Sequence, residues 1–191
     1  MSFGWQGEKT RLVPLDKGRH HENSLAWFND LELTAWLTGE WPLSRLADEE
    51  FFDRMMRETE NALSLAIETL DGEHIGFASV DRIDWRNGVA ATGTLIGRRD
   101  LWGQGYGFDA CLTRARFVFD GLGLRLLITE IMAGNVASLR MHQKVGSQQV
   151  GCLPGRYWKR GAYRDLVILA LQSEAFQARW ASPSTRPPAH S

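Results

Sequence analysis

Apolar residues return every three or four positions over 18–37 and again over 46–60, the spacing that lines them along one side of a helix. Between the two stretches, Thr38-Gly39-Glu40-Trp41-Pro42 breaks the rhythm with a glycine and a proline, and a loop is predicted there. The run 10–15, with Leu12, Val13 and Leu15, reads as a short first strand. From residue 62 the period changes. The segment 62–70 is closed by Asp71-Gly72, a tight-turn pair, so 74–84 is predicted to return antiparallel against it. Arg86-Asn87-Gly88 repeats that turn chemistry and sends 89–96 back once more. Downstream, 106–120 is an amphipathic helix that stops near Gly121 and Gly123, and 124–132 is a buried strand rich in Leu and Ile. Asn135 is a good N-cap for a further helix, and 148–153 and 163–171 supply two closing strands.

This alternation predicts a mixed α/β fold, a central sheet of six to seven strands with helices on both faces. The passage from 89–96 through the helix to 124–132 is a crossover, which makes those two strands parallel and their connection right-handed. No repeat or linker divides 1–180, read as a single domain, and 181–191, rich in Pro and Ser, is read as a disordered tail. A chain of 191 residues can bury one sizeable core. The formal net charge of −1, with no basic stripe, gives no reason to expect nucleic acid as a partner. The longest apolar runs fall well short of the roughly 20 residues a membrane span needs, so no membrane is expected either. Cys111 and Cys152 make no disulfide framework, and without a secretory signal at the N-terminus the default location is cytoplasmic. The adjacent pair His20-His21 cannot face one ion, and no Cys/His cluster has ligand spacing, so no metal site is expected. A homodimer is left open.

Candidate chemistry concentrates in Trp102-Gly103-Gln104-Gly105-Tyr106-Gly107. Three glycines at alternate positions leave backbone N–H groups bare of side-chain cover, and the helix behind them adds the positive end of its dipole. That is an anion cradle, and phosphate is its natural guest. A dinucleotide fingerprint needs a third glycine at 108, where Phe stands, and a P-loop needs Gly-Lys-Ser/Thr, which the chain lacks. Arg98 and Arg99, just before the loop, either neutralise phosphate or form a solvated charged turn.

The loop resembles the acetyl-CoA pyrophosphate loop of the GNAT N-acetyltransferase superfamily, R/Q-x-x-G-x-G/A, with Gly105 and Gly107 on its small positions and Trp102 where Arg or Gln is usual. Trp102-Gly103-Gln104-Gly105-Tyr106 is similar to the Trp-Gly-x-Gly-Tyr loop of the branch of ribosomal-protein alanine N-acetyltransferases. Asn135-Val136-Ala137-Ser138, leading to Lys144-Val145-Gly146, resembles the family's N-x-x-S…K-x-G segment. Gly161-Ala162-Tyr163-Arg164-Asp165 is similar to its G-x-Y-x-D segment. The resemblance implies an N-acetyltransferase with acetyl-CoA as acetyl donor and a small-molecule or peptide amine as acceptor. It implies that the fourth and fifth strands splay into a V for the pantetheine arm. The donor is then expected at Leu95, Ile96 and Gly97, at Trp102, Gly103, Gln104, Gly105, Tyr106 and Gly107, and at Asn135 and Ser138.

Acyl transfer to an amine requires a neutral amine, donors for the developing oxyanion and a proton for the departing thiolate. By the resemblance, backbone N–H groups near Leu95 and Ile96 are the oxyanion donors. His142, seven residues after Asn135, stands where many relatives place a tyrosine proton donor. The fourth strand offers no carboxylate, so the base is sought at Glu130 or Asp84, or in a water relay that needs no side chain. Trp41 and Asp84 are expected to flank the acceptor, in the loop 39–43 and the turn 84–88. The alternative from another class is a catalytically silent CoA-binding sensor or scaffold, which the departures at Trp102 and His142 keep open.

Overall fold

Strands and helices alternate along the chain as β1 (Thr10–Pro14), α1 (Lys17–Phe28), α2 (Leu31–Thr34), α3 (Arg45–Met56), β2 (Leu63–Thr69), β3 (His74–Asp84) and β4 (Val89–Ile96). Then come α4 (Tyr106–Arg116), β5 (Leu126–Met132), α5 (Val136–Val145), β6 (Gln148–Lys159), β7 (Ala162–Gln172) and α6 (Ser173–Trp180). These elements belong to a computed structural model that describes residues 5–40, 42–57 and 59–180. The expected tail at 181–191 and the candidate acceptor residue Trp41 lie outside the described residues. No helix among the described residues is long and apolar enough to cross a membrane.

The seven strands form one sheet in the order β1-β2-β3-β4-β5-β7-β6. The Asp71-Gly72 and Asn87-Gly88 turns close the two hairpins expected of them, with Gly72 and Gly88 at positive φ. Every neighbouring pair is antiparallel except β4 and β5, which the α4 crossover makes parallel.

Three elements differ from the sequence reading. The helix expected over 18–37 breaks at Asn29-Asp30, because both side chains serve the backbone: Asn29 Nδ2 donates to Leu25 O (3.0 Å), and Asp30 Oδ1 accepts from Glu32 N (2.8 Å) to start α2. β6 runs on to Lys159 because Arg160 and Gly161, both at positive φ, close a tight hairpin into β7. α6 was not expected. It is held by Phe176 in the core against Phe119 (5.3 Å between ring centroids) and by Trp180 Nε1 donating to Val145 O (2.6 Å).

Alternation along the strands sorts side chains to two faces. Phe77 and Leu95 pack with Trp27, Leu33 and Phe52 from α1, α2 and α3. On the other face, Val80, Ala90 and Leu127 pack with Cys111, Leu112, Ala115 and Val145 from α4 and α5. β1 is fastened to the start of α4 by Asp109, whose buried carboxylate accepts from Glu8 N, Lys9 N, Thr10 N and Thr10 Oγ1 at 2.6–3.1 Å.

Candidate active site

β4 and β5 pair over three residues only, Val89–Leu126, Ala90–Leu127 and Ala91–Ile128. Beyond these the strands part, with the Thr92 and Thr129 hydroxyls still bridging them at 2.9 Å. Residues 93–96 are half-exposed although β4 is the middle strand of the sheet. Gly97 N donates to Ile75 O of β3 (2.9 Å), so alternation turns the Leu95 N–H toward β3 and those of Thr94 and Ile96 toward the opening. Of the donors expected near Leu95 and Ile96, the Leu95 N–H is thus turned away from the opening and that of Ile96 faces it, as does that of Thr94.

Because β4 and β5 are parallel, the segments that follow both emerge at the open end of the V. After β4 comes the glycine loop. Gly105, at φ 91°, turns the chain into α4, and among the described residues the N–H groups of Gly103, Gly105, Tyr106 and Gly107 donate to no backbone or side-chain acceptor. Gly107 has a different reason to be glycine: a Cβ there would lie 2.9 Å from Met141 Sδ, so its absence lets α4 close on α5. Trp102 Nε1 donates to Ile96 O (2.8 Å), pinning the loop to the end of β4 where Arg or Gln is usual. Gln104 Nε2 donates to Asp100 O (2.7 Å) and holds the loop from within. Lys9 was not expected here: its Nζ donates to Gln104 O (3.0 Å) and lies over the Tyr106 ring, adding a cation to the cradle. Arg98 pairs with Glu73 and Asp100, and Arg99 Nε lies 3.7 Å from Asp30, which makes both part of a charged turn.

After β5, Asn135 caps α5 by accepting from Ser138 N (3.1 Å), so its Oδ1 is committed to the helix while its Nδ2 has no protein acceptor among the described residues. His142, two turns on, is 4% exposed, and no hydrogen bond to its ring occurs among the described residues. Burial pushes it down to about 3, with the Arg114 charge adding to the effect. The direction favours the neutral ring at pH 7 and counts against the protonated imidazole expected to serve as proton donor at this position.

The face of the sheet opposite α4 is polar beside the opening. A Cβ on Gly93 would lie 2.9 Å from Ser79 Oγ, and that hydroxyl donates to Asp81 Oδ2 (2.6 Å). Glu130 of β5 faces the same way and pairs with Arg82 (2.9 Å), both exposed beside the opening. A clasp ties the β6–β7 turn to α2 and the segment after it. Lys159, 4% exposed, donates to Thr34 O (3.2 Å) and Glu40 Oε2 (3.2 Å), while Arg160 donates to Glu40 Oε1 (2.7 Å) and to Leu31 O. A hollow lined by Phe28, Asn29, Leu31, Thr34, Glu40 and Pro42 adjoins it. Asp84 is elsewhere. Its carboxylate accepts from Asn87 N (2.9 Å) and Asn87 Nδ2 (2.7 Å), which holds its pKa below the usual carboxylate range. It sits at the closed end, about 13 Å from Gly93 at ~3.3 Å per strand residue, where it caps the turn to Asn87.

The open V with its row of bare N–H groups fits a thioester donor with a pyrophosphate, and the family model of the acetyltransferase (GNAT) domain matches residues 9–148. The chain belongs to the GNAT acetyltransferases. This acetyltransferase is 30% identical over 155 residues to the L-methionine sulfoximine/L-methionine sulfone acetyltransferases of Pseudomonas paraeruginosa and Pseudomonas aeruginosa, covering 77% of this chain and 86% of each relative. Its fold matches spermidine N-acetyltransferase from Vibrio cholerae, solved with CoA and spermine, at a TM-score of 0.80 and 16% identity, over 87% of this chain and 97% of that one. It matches a GCN5-related N-acetyltransferase from Brucella melitensis at 0.74 and 24% identity, over 96% of this chain and 87% of that one. The enzyme is an N-acetyltransferase that uses acetyl-CoA, which closes the alternative of a silent CoA-binding module.

Proposed function

We propose that this enzyme passes the acetyl group of acetyl-CoA directly to the primary amine of a small zwitterionic acceptor of amino-acid type, with no acetylated enzyme between. The observation that carries the reading is the parting of β4 from β5, which leaves two N–H groups aimed into a cleft between an anion cradle and a face bearing both charges. Acetyl-CoA, when bound, supplies an activated acetyl thioester. The cradle N–H groups and Lys9 would hold its phosphates, and Asn135 Nδ2 is free to bond an amide of its arm. The Thr94 and Ile96 N–H groups stabilise the negative charge that attack places on the carbonyl oxygen. On the acceptor face, Glu130 orients the amine and takes its proton to water, while Arg82 beside it meets the acceptor's carboxylate. The curated relatives named for L-methionine sulfoximine and sulfone favour an amino acid over a polyamine, because the spermidine enzyme shares 16% of the sequence.

Initial rates with acetyl-CoA and L-methionine sulfone test this. Direct transfer gives double-reciprocal lines that intersect, and Glu130→Gln and Arg82→Met raise the acceptor KM more than that of acetyl-CoA. Parallel lines, or acetylated enzyme isolated in the absence of an amine, would overturn direct transfer. Faster turnover of spermidine than of any amino acid would overturn the acceptor class.

A further inference from the structure

Arg114 is 2% exposed, a guanidinium wholly inside the molecule. Cost alone makes it conspicuous, since such a group keeps its charge at any physiological pH and loses its hydration here. Its hydrogen-bond partners are neutral: Gly93 O, Thr94 Oγ1 (2.6 Å) and Cys111 Sγ (3.8 Å). Its Nε has no partner among the described residues. Asp81 on β3 attracts it only from beyond ion-pairing distance. Gly93 and Thr94 are the second and third β4 residues past its last ladder pair with β5, so the charge lies under β4 where the two strands have parted. The Thr92–Thr129 bridge lies on the same face, and His142 comes from α5.

Resting on the transfer reaction proposed above, we propose that Arg114 supplies fixed positive charge at the base of the V and stabilises the thiolate that leaves, so that no protonated side chain is required there. The amine lone pair forms the C–N bond and the C–S electron pair goes to sulfur. The proton lost by nitrogen goes to water, and water returns one to sulfur after release. The titratable groups around the guanidinium are Cys111 on its own helix, Asp81 on β3 and His142 on α5. The same charge opposes an imidazolium at His142, which explains how the family's proton-donor position comes to hold a ring that stays neutral. A fixed cation beside the sulfur replaces the donor, and a second positive charge would only compete with it.

Proton release on binding reads this without turnover. CoA and acetyl-CoA are titrated calorimetrically into the enzyme at pH 8, in two buffers of different ionisation enthalpy. An alkyl thiol such as that of CoA, no more acidic than a cysteine with its pKa of about 8.5, is mostly protonated at that pH. The parent enzyme is expected to release about half a proton or more on binding CoA and none on binding acetyl-CoA, which has no free thiol. Arg114→Met is expected to bind CoA with little proton release, and Arg114→Lys to restore part of it. Equal release for CoA and acetyl-CoA in the parent, or undiminished release in Arg114→Met, overturns the proposal. Arg114→Met should also melt at the same or a higher temperature, because it replaces a buried cation that has no carboxylate partner. Its kcat with L-methionine sulfone should fall about 10²–10³-fold, the usual cost of one lost charge-stabilising donor. A lowered melting temperature with kcat retained identifies a packing role and overturns it. If the parent acetylates no amine, the transfer reading fails, while the proton count still decides what Arg114 does to the thiol.

Discussion

Gly105 joins β4 to the anion cradle through one backbone conformation, φ 91° and ψ −3° at the N-cap of α4. A Cβ added there would meet nothing closer than Lys9 Cε at 3.9 Å, so Gly105→Ala and Gly105→Val are opposed by the backbone and not by a clash. Holding an L-residue in the left-handed region costs about 1–2 kcal/mol, and a β-branched side chain more. Against a total stability of ~5–15 kcal/mol the variants remain folded, with the melting temperature lowered by about 2–8 °C at ~2–4 °C per kcal/mol. Relaxing toward negative φ turns the Gly105 and Tyr106 N–H groups out of convergence. Two charge-assisted bonds at about 1.5–3 kcal/mol each correspond to a CoA Kd raised ~10²–10⁴-fold in Gly105→Val, with Gly105→Ala between it and the parent. Titration calorimetry with CoA, checked by circular dichroism, measures both effects. A folded Gly105→Val protein that binds CoA within threefold of the parent refutes the cradle.

Acid should unfold the enzyme early. Burial, helped by His20 beside it, lowers His74 to about 4, and burial with Arg114 lowers His142 to about 3. Each folded-state value lies below the unfolded one, so the unfolded chain binds more protons as pH falls below about 6.5. The two rings together remove about 5 kcal/mol between pH 6.5 and 4.5, at ~1.4 kcal/mol per unit each. Urea midpoints across that range should fall steeply, His74→Gln should roughly halve the slope, and a flat profile would count against the two buried neutral rings. Lys9→Met should weaken CoA binding about tenfold in low salt and less at high ionic strength, as a single lost phosphate contact does. Glu40→Gln loosens the clasp through Lys159 and Arg160, and should lower kcat/KM for the acceptor by about ten- to a hundredfold with CoA affinity unchanged. Equal weakening of both ligands would make the clasp a general strut.

The hairpins and the crossover were legible because their turns are written in adjacent residues, Asp71-Gly72, Asn87-Gly88 and the Asn135 cap. The break at Asn29-Asp30 was equally local, two capping side chains in succession, but the apolar period runs through it. The V is of another kind. Thr92, Thr94 and Ile96 read like any strand, and only the register with β5 determines that pairing stops at Ala91. Lys9 reaches the loop from 95 positions away, beyond any local pattern. Arg114 did carry a signal: it lies three and four positions after Cys111 and Ala110, on the apolar side of α4, where a charge is out of place. The tie from Asp84 to Asn87 was not legible, because a carboxylate at a strand end looks the same whether it faces a substrate or holds its own turn.

The most direct measurement follows CoA thiol release and acetylated product together, with acetyl-CoA and L-methionine sulfone, in the parent enzyme. The account predicts one thiol per acetylated amine, with mass spectrometry finding a single added acetyl group on the amino nitrogen. Thiol released without acetylated amine, across amino acids, polyamines and peptide N-termini alike, would contradict it.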